Sequence, residues 1–510
     1  MSEMTLYPLG CLDDLMPDID LPFILSFACP STHHSTTKET LSHSFTSLLE
    51  KNPWLGGYIH SNVPNQQEKY RLGTKFLSIP PQDTNTGANT VEASQRIEFQ
   101  DLTKHHLYST TSYLNLVAQD MPTKYLNAKI LMPNRGTPDS NINSALRARV
   151  SFIKDGVFVV LSTSHALLDA TSLAEVFGVW AAIARGESAP ILSHRPILSE
   201  ELGIQVRHED EALNKISVQQ ESSSDPTAIY NNLKTKKQLW WMLGLDYRPL
   251  ENSSAKIAKS IPPKQTHTKI FLIKKDALQR LKTDCTQTKT SWISTNDALS
   301  ALLWRCIVRA RIRTPEWRSR TSSLMYAMNI RSSPALKSGP PSLSPPPEPR
   351  LANIVLYSIN TTPVPDVDIS YQPSTISALA STALNIRSAV QTHTSPDLVA
   401  QALQLVATIP DVRRLGLVYP TWLEHDVVIS SLSRLPLYST SWGNTFGEPE
   451  NGELSVGVPD FVRWPECVFE GITFIMPRRM DGGLEVVVTM AVEDMPFLEG
   501  DEEWCRYIGE

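Results

Sequence analysis

Between Arg147 and Arg185 the apolar pattern changes from strand-like alternation to a helical repeat, and no other stretch limits the fold as much. Arg147–Ile153 and Val157–Ser162 alternate around Asp155-Gly156, a dipeptide suited to a tight hairpin, and Leu168–Arg185 reads as an amphipathic helix. A hairpin running straight into a helix must bury one face of each, which calls for layered α/β structure. Elsewhere the chain mixes the same elements. Glu39–Glu50 has helical periodicity and leads into a turn at Pro53–Gly57. Thr268–Ile273 reads as a strand, and Asp276–Thr283 and the long apolar Thr295–Ala310 read as helices. Ser374–His393 and Leu398–Ile409 form a further helix pair, and Val427–Ile429, Phe469–Met476 and Leu484–Val492 read as strands. Non-tandem strands with connections of very different length predict an α/β sandwich, not a Rossmann sheet or a barrel. No Gly-x-Gly-x-x-Gly follows a strand and no P-loop occurs, which removes nucleotide-cofactor readings.

At 510 residues, 41% apolar and 20% charged, the chain has room for two domains of a soluble protein. Two low-complexity segments punctuate it: Leu192–Pro226, polar and aperiodic, and Ser332–Arg350, with seven prolines. They predict an N-terminal domain over 1–195, a crossover linker over 196–230 and a C-terminal domain over 231–510. The net charge of −6 points to neither a nucleic-acid nor a membrane partner. Six cysteines lack any metal-binding spacing, and the pairs His33-His34 and His105-His106 have no acidic or Cys partners. These features predict a metal-free protein, which is read as a monomer. The start has no basic or apolar leader pattern, and apolar Leu21–Pro30 is too short to span a bilayer, so the expected compartment is the cytoplasm.

The chemistry points to His165-Ala-Leu-Leu-Asp169, at the junction of the hairpin and its helix. Imidazole titrates near neutrality and can take a proton from an alcohol. The spacing alone does not single the stretch out, because His393-Thr-Ser-Pro-Asp397 repeats it. There, Ser395 or Asp397 is expected to cap the helix beginning near Leu398. Context therefore selects His165.

Around it the chain resembles the BAHD acyltransferases, in particular the fungal branch with trichothecene O-acetyltransferases. The resemblance rests on Asn52-Pro-Trp-Leu-Gly-Gly57, His165-x-x-x-Asp169, Ile293–Trp304, Met328-Asn-Ile-Arg331, Leu351-Ala-Asn353, Leu435–Gly443, Gly447-Glu-Pro449, Gly483–Val486 and Glu493-Asp-Met495. It implies two chloramphenicol-acetyltransferase-like domains with a channel at their interface. It also implies an acyl-CoA co-substrate, a small-molecule alcohol acceptor, and no permanently bound cofactor. Carried over, His165 is the general base, while Asp169 is a strut paired with Arg331. The family's Asp-Phe-Gly loop falls at Ser441-Trp442-Gly443, where serine replaces the aspartate and Trp442 either lines the acceptor pocket or packs in the core. Its Thr-Ser-Trp falls at Ser430-Ser431-Leu432, leaving Ser430 as oxyanion donor. Losing one such donor costs roughly 3 kcal/mol. Ala170 stands where the family usually has glycine.

From Lys234 to Arg320 there are 19 Lys/Arg against 6 Asp/Glu, an excess of 13, which suits CoA phosphates on a basic, largely solvated face. The candidates are Lys274, Lys275, Ser294 and Thr295. The rival readings are an amide-forming condensation-type enzyme and a paralogue that kept the fold but binds a metabolite without CoA turnover.

Overall fold

The computed structural model describes residues 5–17, 19–61, 70–79, 96–135, 142–188, 190–198, 202, 225–248, 265–286, 292–312, 320–336, 350–367, 375–418, 426–448, 456–465 and 470–508. Most of the expected 196–230 linker and most of the proline-rich 332–350 segment lie outside them. The chain forms two compact units. The first joins Met1–Leu198 to Pro346–Asn353 and Leu435–Glu466; the second comprises Ser199–Pro345, Ile354–Arg434 and Cys467–Glu510. Two stretches expected in the C-terminal domain therefore belong to the first unit, including the Ser441–Gly443 loop.

In chain order, the strands that matter below are β1 (Asp20–Ala28), β2 (Ile97–Asp101), β3 (Leu146–Ile153), β4 (Gly156–Ser164), β5 (Thr266–Ile273), β6 (Thr321–Asn329), β7 (Val355–Pro363), β8 (Val427–Ser431), β9 (Phe461–Arg463), β10 (Ile472–Ile475) and β11 (Leu484–Ala491). The helices are α1 (His34–Lys51), α2 (Ala170–Ala184), α3 (Lys275–Thr286), α4 (Thr295–Arg311), α5 (Thr375–His393) and α6 (Pro396–Thr408).

In the first unit a five-stranded sheet runs β9-β1-β4-β3-β2, antiparallel except where β2 lies parallel to β3. Every residue of β3 and β4 is buried, so both faces are covered. Arg147 and Arg149 fit there because Asp20 and Glu98 neutralise them. On one side α1 and α2 pack together, with Phe45 against Trp180 at 4.9 Å and the Trp180 indole N–H donating to Ser44 Oγ at 3.0 Å. The hairpin turn sits one residue earlier than expected. Lys154 and Asp155 form it, Asp155 takes the positive φ of 59°, and Gly156 already pairs with Ile153. Asp tolerates that conformation and anchors it by accepting from Ser31 Oγ at 2.8 Å. Gly156 serves packing instead: a Cβ there would lie 2.3 Å from Tyr113 Cδ2 and 2.5 Å from its Cβ. The Tyr113 hydroxyl is tied to Ser26 and Asp460, so the ring has little room to yield. Gly156→Ala is expected to destabilise this unit by about 1–3 kcal/mol, read as a lower urea midpoint at unchanged m-value.

In the second unit the sheet order is β5-β11-β10-β8-β6-β7, with β8 parallel to both β6 and β10. Helix α4 fills the centre: Leu299, Leu302, Leu303 and Trp304 meet Ile273, Ile429, Val486 and Val488 from the sheet and Leu379 and Ala383 from α5. A capping box starts α4, with Asp297 N–H donating to Ser294 Oγ and Ser294 N–H to Asp297 Oδ2. The expectation of a solvated basic face is corrected along this helix. Arg305 and Arg311 are buried and Arg309 nearly so, held by Glu503, Asp501 and Glu470. Their charges are spent inside the unit. The second His-x-x-x-Asp match is structural: His393 closes α5, buried, with Nδ1 3.0 Å from Ser358 Oγ. Helix α6 starts on Pro396, whose missing N–H suits the first helical position, and Ser395 makes no side-chain cap bond. Among the described residues no helix is long and apolar enough to cross a membrane.

Candidate active site

The site is built where β4 ends. Ser164 pairs with Asp20 on β1, and the His165 N–H donates to Ile19 O at 2.9 Å. Leu167 and Leu168 turn the chain with N–H bonds to Ser164 O, and Ala166, Leu167 and Leu168 are fully buried. Asp169 is then the N-cap of α2, its Oδ1 accepting from Ser172 N at 2.9 Å. The five residues thus convert a buried strand into a helix within one apolar turn. Asp169 holds the helix start, and Ala170 is the first helical residue.

His165 is half-buried, and its pKa lies below the ordinary histidine value. Burial is the main cause; the Asp169 charge, the backbone of His165 and Leu168 and the Asn353 side chain partly oppose it. A neutral imidazole at physiological pH can accept a proton, which is what a general base requires. Its Nδ1 is buried and has no hydrogen-bond partner among the described residues.

Sequence reasoning missed the groups next to it. Asn353 Nδ2 donates to His165 O at 2.9 Å and to Asp13 Oδ1 at 2.8 Å, while Asn353 N also donates to Asp13 Oδ1 at 2.9 Å. Ala352 exchanges two bonds with the Ser172 hydroxyl, at 3.0 and 3.1 Å. Residues 352–353 therefore clamp both the histidine and the first turn of α2. Asp13 is buried and pushed up to about 7, by burial against the N–H groups of Asn353 and Gly10. His194 Nε2 lies 3.8 Å from Asp13 Oδ2, and burial pushes that imidazole down to about 4. Leu351-Ala-Asn353 carried part of the family resemblance without a role. Nothing in the local sequence ties it to Asp13, 340 residues away.

Of the other expected site residues, Ser441, Trp442 and Gly443 share the first unit with His165. Trp442 is fully buried against Trp180 at 5.1 Å and Phe27 at 5.9 Å, which makes it core. Ser441 is exposed; its carbonyl accepts from Arg185, the residue closing α2, and its hydroxyl from Gly443 N at 3.3 Å. Gly443 has φ +56° and needs glycine's freedom.

The remaining candidates lie in the second unit. Ser430 and Ser431 end β8 with Ser431 on the face of Val427 and Ile429, where its hydroxyl donates to Asn296 Oδ1 at 2.8 Å. Ser430 is on the opposite face. Leu432 is buried. Arg331 follows β6 and donates to Asn329 Oδ1 through its N–H at 3.0 Å and Nη1 at 3.3 Å. Lys274 and Lys275 are exposed at the start of α3. The Ser294 hydroxyl is engaged at the α4 cap, donating to Asp297 at 2.7 Å and accepting from Arg387 at 3.0 Å. Thr295 opens the helix beside it.

The sequence profile of the Transferase family matches residues 2–504. Eremophilane O-acetyltransferase ORF8 of Penicillium roqueforti is 24% identical, over 98% of this chain and 97% of that protein. Trichothecene 3-O-acetyltransferase TRI101 of Fusarium sporotrichioides is 22% identical, over 93% and 90% respectively. The crystal structure of F. sporotrichioides TRI101 complexed with coenzyme A and T-2 superposes with a TM-score of 0.68 at 19% identity, covering 99% of this chain and 100% of that one. F. graminearum TRI101 complexed with ethyl coenzyme A gives 0.67 at 18% identity, covering 99% of each.

Proposed function

Because this chain belongs to the Transferase family, the BAHD acyltransferases, we propose that it transfers an acyl group, most simply acetyl, from CoA to a hydroxyl of a hydrophobic secondary metabolite. The observation that carries the reading is His165, placed at the β4–α2 junction with its pKa lowered by burial, on a scaffold of the TRI101 type. The named relatives acetylate eremophilanes and trichothecenes, which supports a hydrophobic alcohol as acceptor.

In this reading His165 takes the acceptor's O–H proton while the oxygen attacks the thioester carbonyl. The tetrahedral intermediate collapses by breaking the C–S bond, and the imidazolium returns the proton to the CoA thiolate. Ester and free CoA leave; no acyl-enzyme forms, since no Ser or Cys nucleophile accompanies His165 in an elbow motif. Ser430 is the oxyanion donor, and Asp169 is a strut that caps α2 and takes no part in proton transfer. Lys274 and Lys275 lead the CoA-phosphate candidates, with Thr295 and Ser294 beside them.

The test needs no knowledge of the acceptor. Acetyl-CoA at about a hundred times its Kd is expected to stabilise the native protein by roughly 2.7 kcal/mol, and dephospho-CoA by less at equal concentration. No change in melting temperature with any acyl-CoA would refute the CoA-dependent reading and favour a paralogue without thioester chemistry.

A further inference from the structure

The two faces of the first unit's sheet differ in character. Phe27 pairs with Val157 and meets Trp442, which packs on Trp180 of α2, so that face is apolar. Strand alternation puts Asp20 of β1, Arg147 of β3, and Ser162 and Ser164 of β4 on the opposite face. They are neighbours there, because Asp20 lies directly across from Ser164 and Arg147 directly across from Ser162. Two residues along β3, Arg149 shows how an arginine is satisfied on this face: Nε and Nη2 end on Glu98, and Nη1 donates to Ile130 O at 2.9 Å. Arg147 is left incomplete. Its Nη1 donates to Asn134 O at 2.8 Å and its Nη2 to Asp20 Oδ1, but the buried Nε has no hydrogen-bond partner among the described residues. The hydroxyls of Ser162 and Ser164, both fully buried, have none either. Buried polar atoms are almost always paired, so three neighbouring donors without a partner mark a place for an accepting group from outside the chain.

Resting on the reading of this chain as an acyltransferase with His165 as base, we propose that Arg147, Ser162 and Ser164 form a cradle for a carboxylate carried by the acceptor alcohol. A carboxylate has two oxygens, enough to accept from the Arg147 Nε–H and from both hydroxyls. Charge favours an anion over water. Arg135 Nε also reaches Asp20 Oδ1, at 3.9 Å, so two guanidinium groups converge on one carboxylate oxygen. The Arg147 pKa lies below the ordinary arginine value, through burial first, with Asp20 opposing and the Arg135 and Arg96 charges adding to the fall. An anion relieves that crowding. The cradle also adjoins the base. Ser164 immediately precedes His165, and Ile19, whose carbonyl takes the His165 N–H, immediately precedes Asp20. Asp20 is half-buried and Arg135 exposed, so the buried donors lie beneath a rim that solvent reaches. The acceptor class that fits is a hydrophobic hydroxy acid, its carboxylate in the cradle and its hydroxyl turned to His165.

Benzoate is the probe, and benzamide its uncharged counterpart. In Nε-detected NMR of arginine-labelled protein, with Arg147→Lys for assignment, benzoate is expected to move the Arg147 Nε–H resonance saturably and benzamide to leave it in place. No movement with benzoate, or equal movement with benzamide, would overturn the proposal and leave the three atoms to internal water. Ser162→Ala combined with Ser164→Ala removes only unpartnered hydroxyls. This double variant is expected to melt no lower than wild type and to bind benzoate about tenfold more weakly. Affinity within twofold of wild type in the folded double variant would also overturn the cradle; if it does not fold, the wild-type titration still decides. CoA that displaces benzoate from Arg147 would assign the cradle to a CoA phosphate and refute the acceptor assignment. For a hydroxy acid that turns over, kcat/KM is expected to exceed that of its methyl ester at least about tenfold, and equal values would count against the cradle. Failure of every acyl-CoA to bind would instead defeat the acyltransferase reading, a separate outcome.

Discussion

His165→Ala is expected to lower kcat by roughly a hundred- to ten-thousandfold in a thiol-release assay, with little change in melting temperature. The loss falls on the chemical step, since without the imidazole the acceptor's proton has only solvent to go to. Stability is spared because the backbone bonds at this position, His165 N to Ile19 O and Asn353 Nδ2 to His165 O, do not involve the ring. Near wild-type turnover would sink the assignment. The same base predicts the pH profile. Burial lowers the His165 pKa, so the ring stays neutral through pH 6.5, the ordinary histidine value, and is lost as a base only below it. The acid limb of kcat/KM should accordingly bend below that pH; a limb centred above it would contradict the assignment.

The largest expected effect on stability lies in the second unit. Glu503 is 2% exposed and accepts from Arg305, itself 0% exposed, at 3.1 Å, and from Arg309 at 2.7 Å. Glu503→Ala strands a buried guanidinium and should cost about 3–5 kcal/mol in urea unfolding. A double variant, Arg305→Met with Glu503→Leu, removes both charges at similar volume and should recover most of that loss. If the single and double variants were equally damaged, packing and not the uncompensated charge would be the cause.

Much of this was legible from local pattern. The hairpin, α2, α4 and the helix pair α5–α6 follow from apolar periodicity, because one buried face imposes a period of its own on each element. The choice of His165 over His393 also followed from context, and the structure gives His393 a buried packing role with Ser358. Charge was less readable. Excess Lys and Arg between 234 and 320 looked like a surface, yet Arg305, Arg309 and Arg311 point inward to acids from 470–503 that no local window contains. Gly156 likewise looked like a turn residue until Tyr113 was seen against it.

The sequence by itself determined the main element types, the family and the choice of His165 as the candidate base, because periodicity and motif spacing act within a few residues. Only the tertiary structure decided which groups surround that histidine. Asn353 joins Asp13 and His165 through long-range hydrogen bonds, His194 Nε2 lies 3.8 Å from Asp13 Oδ2, and burial, a property of the packed unit, shifts the ionisation of Asp13, His194 and His165. Partners of a buried polar atom are chosen by the fold that excludes water from it, and no local run of residues encodes that exclusion.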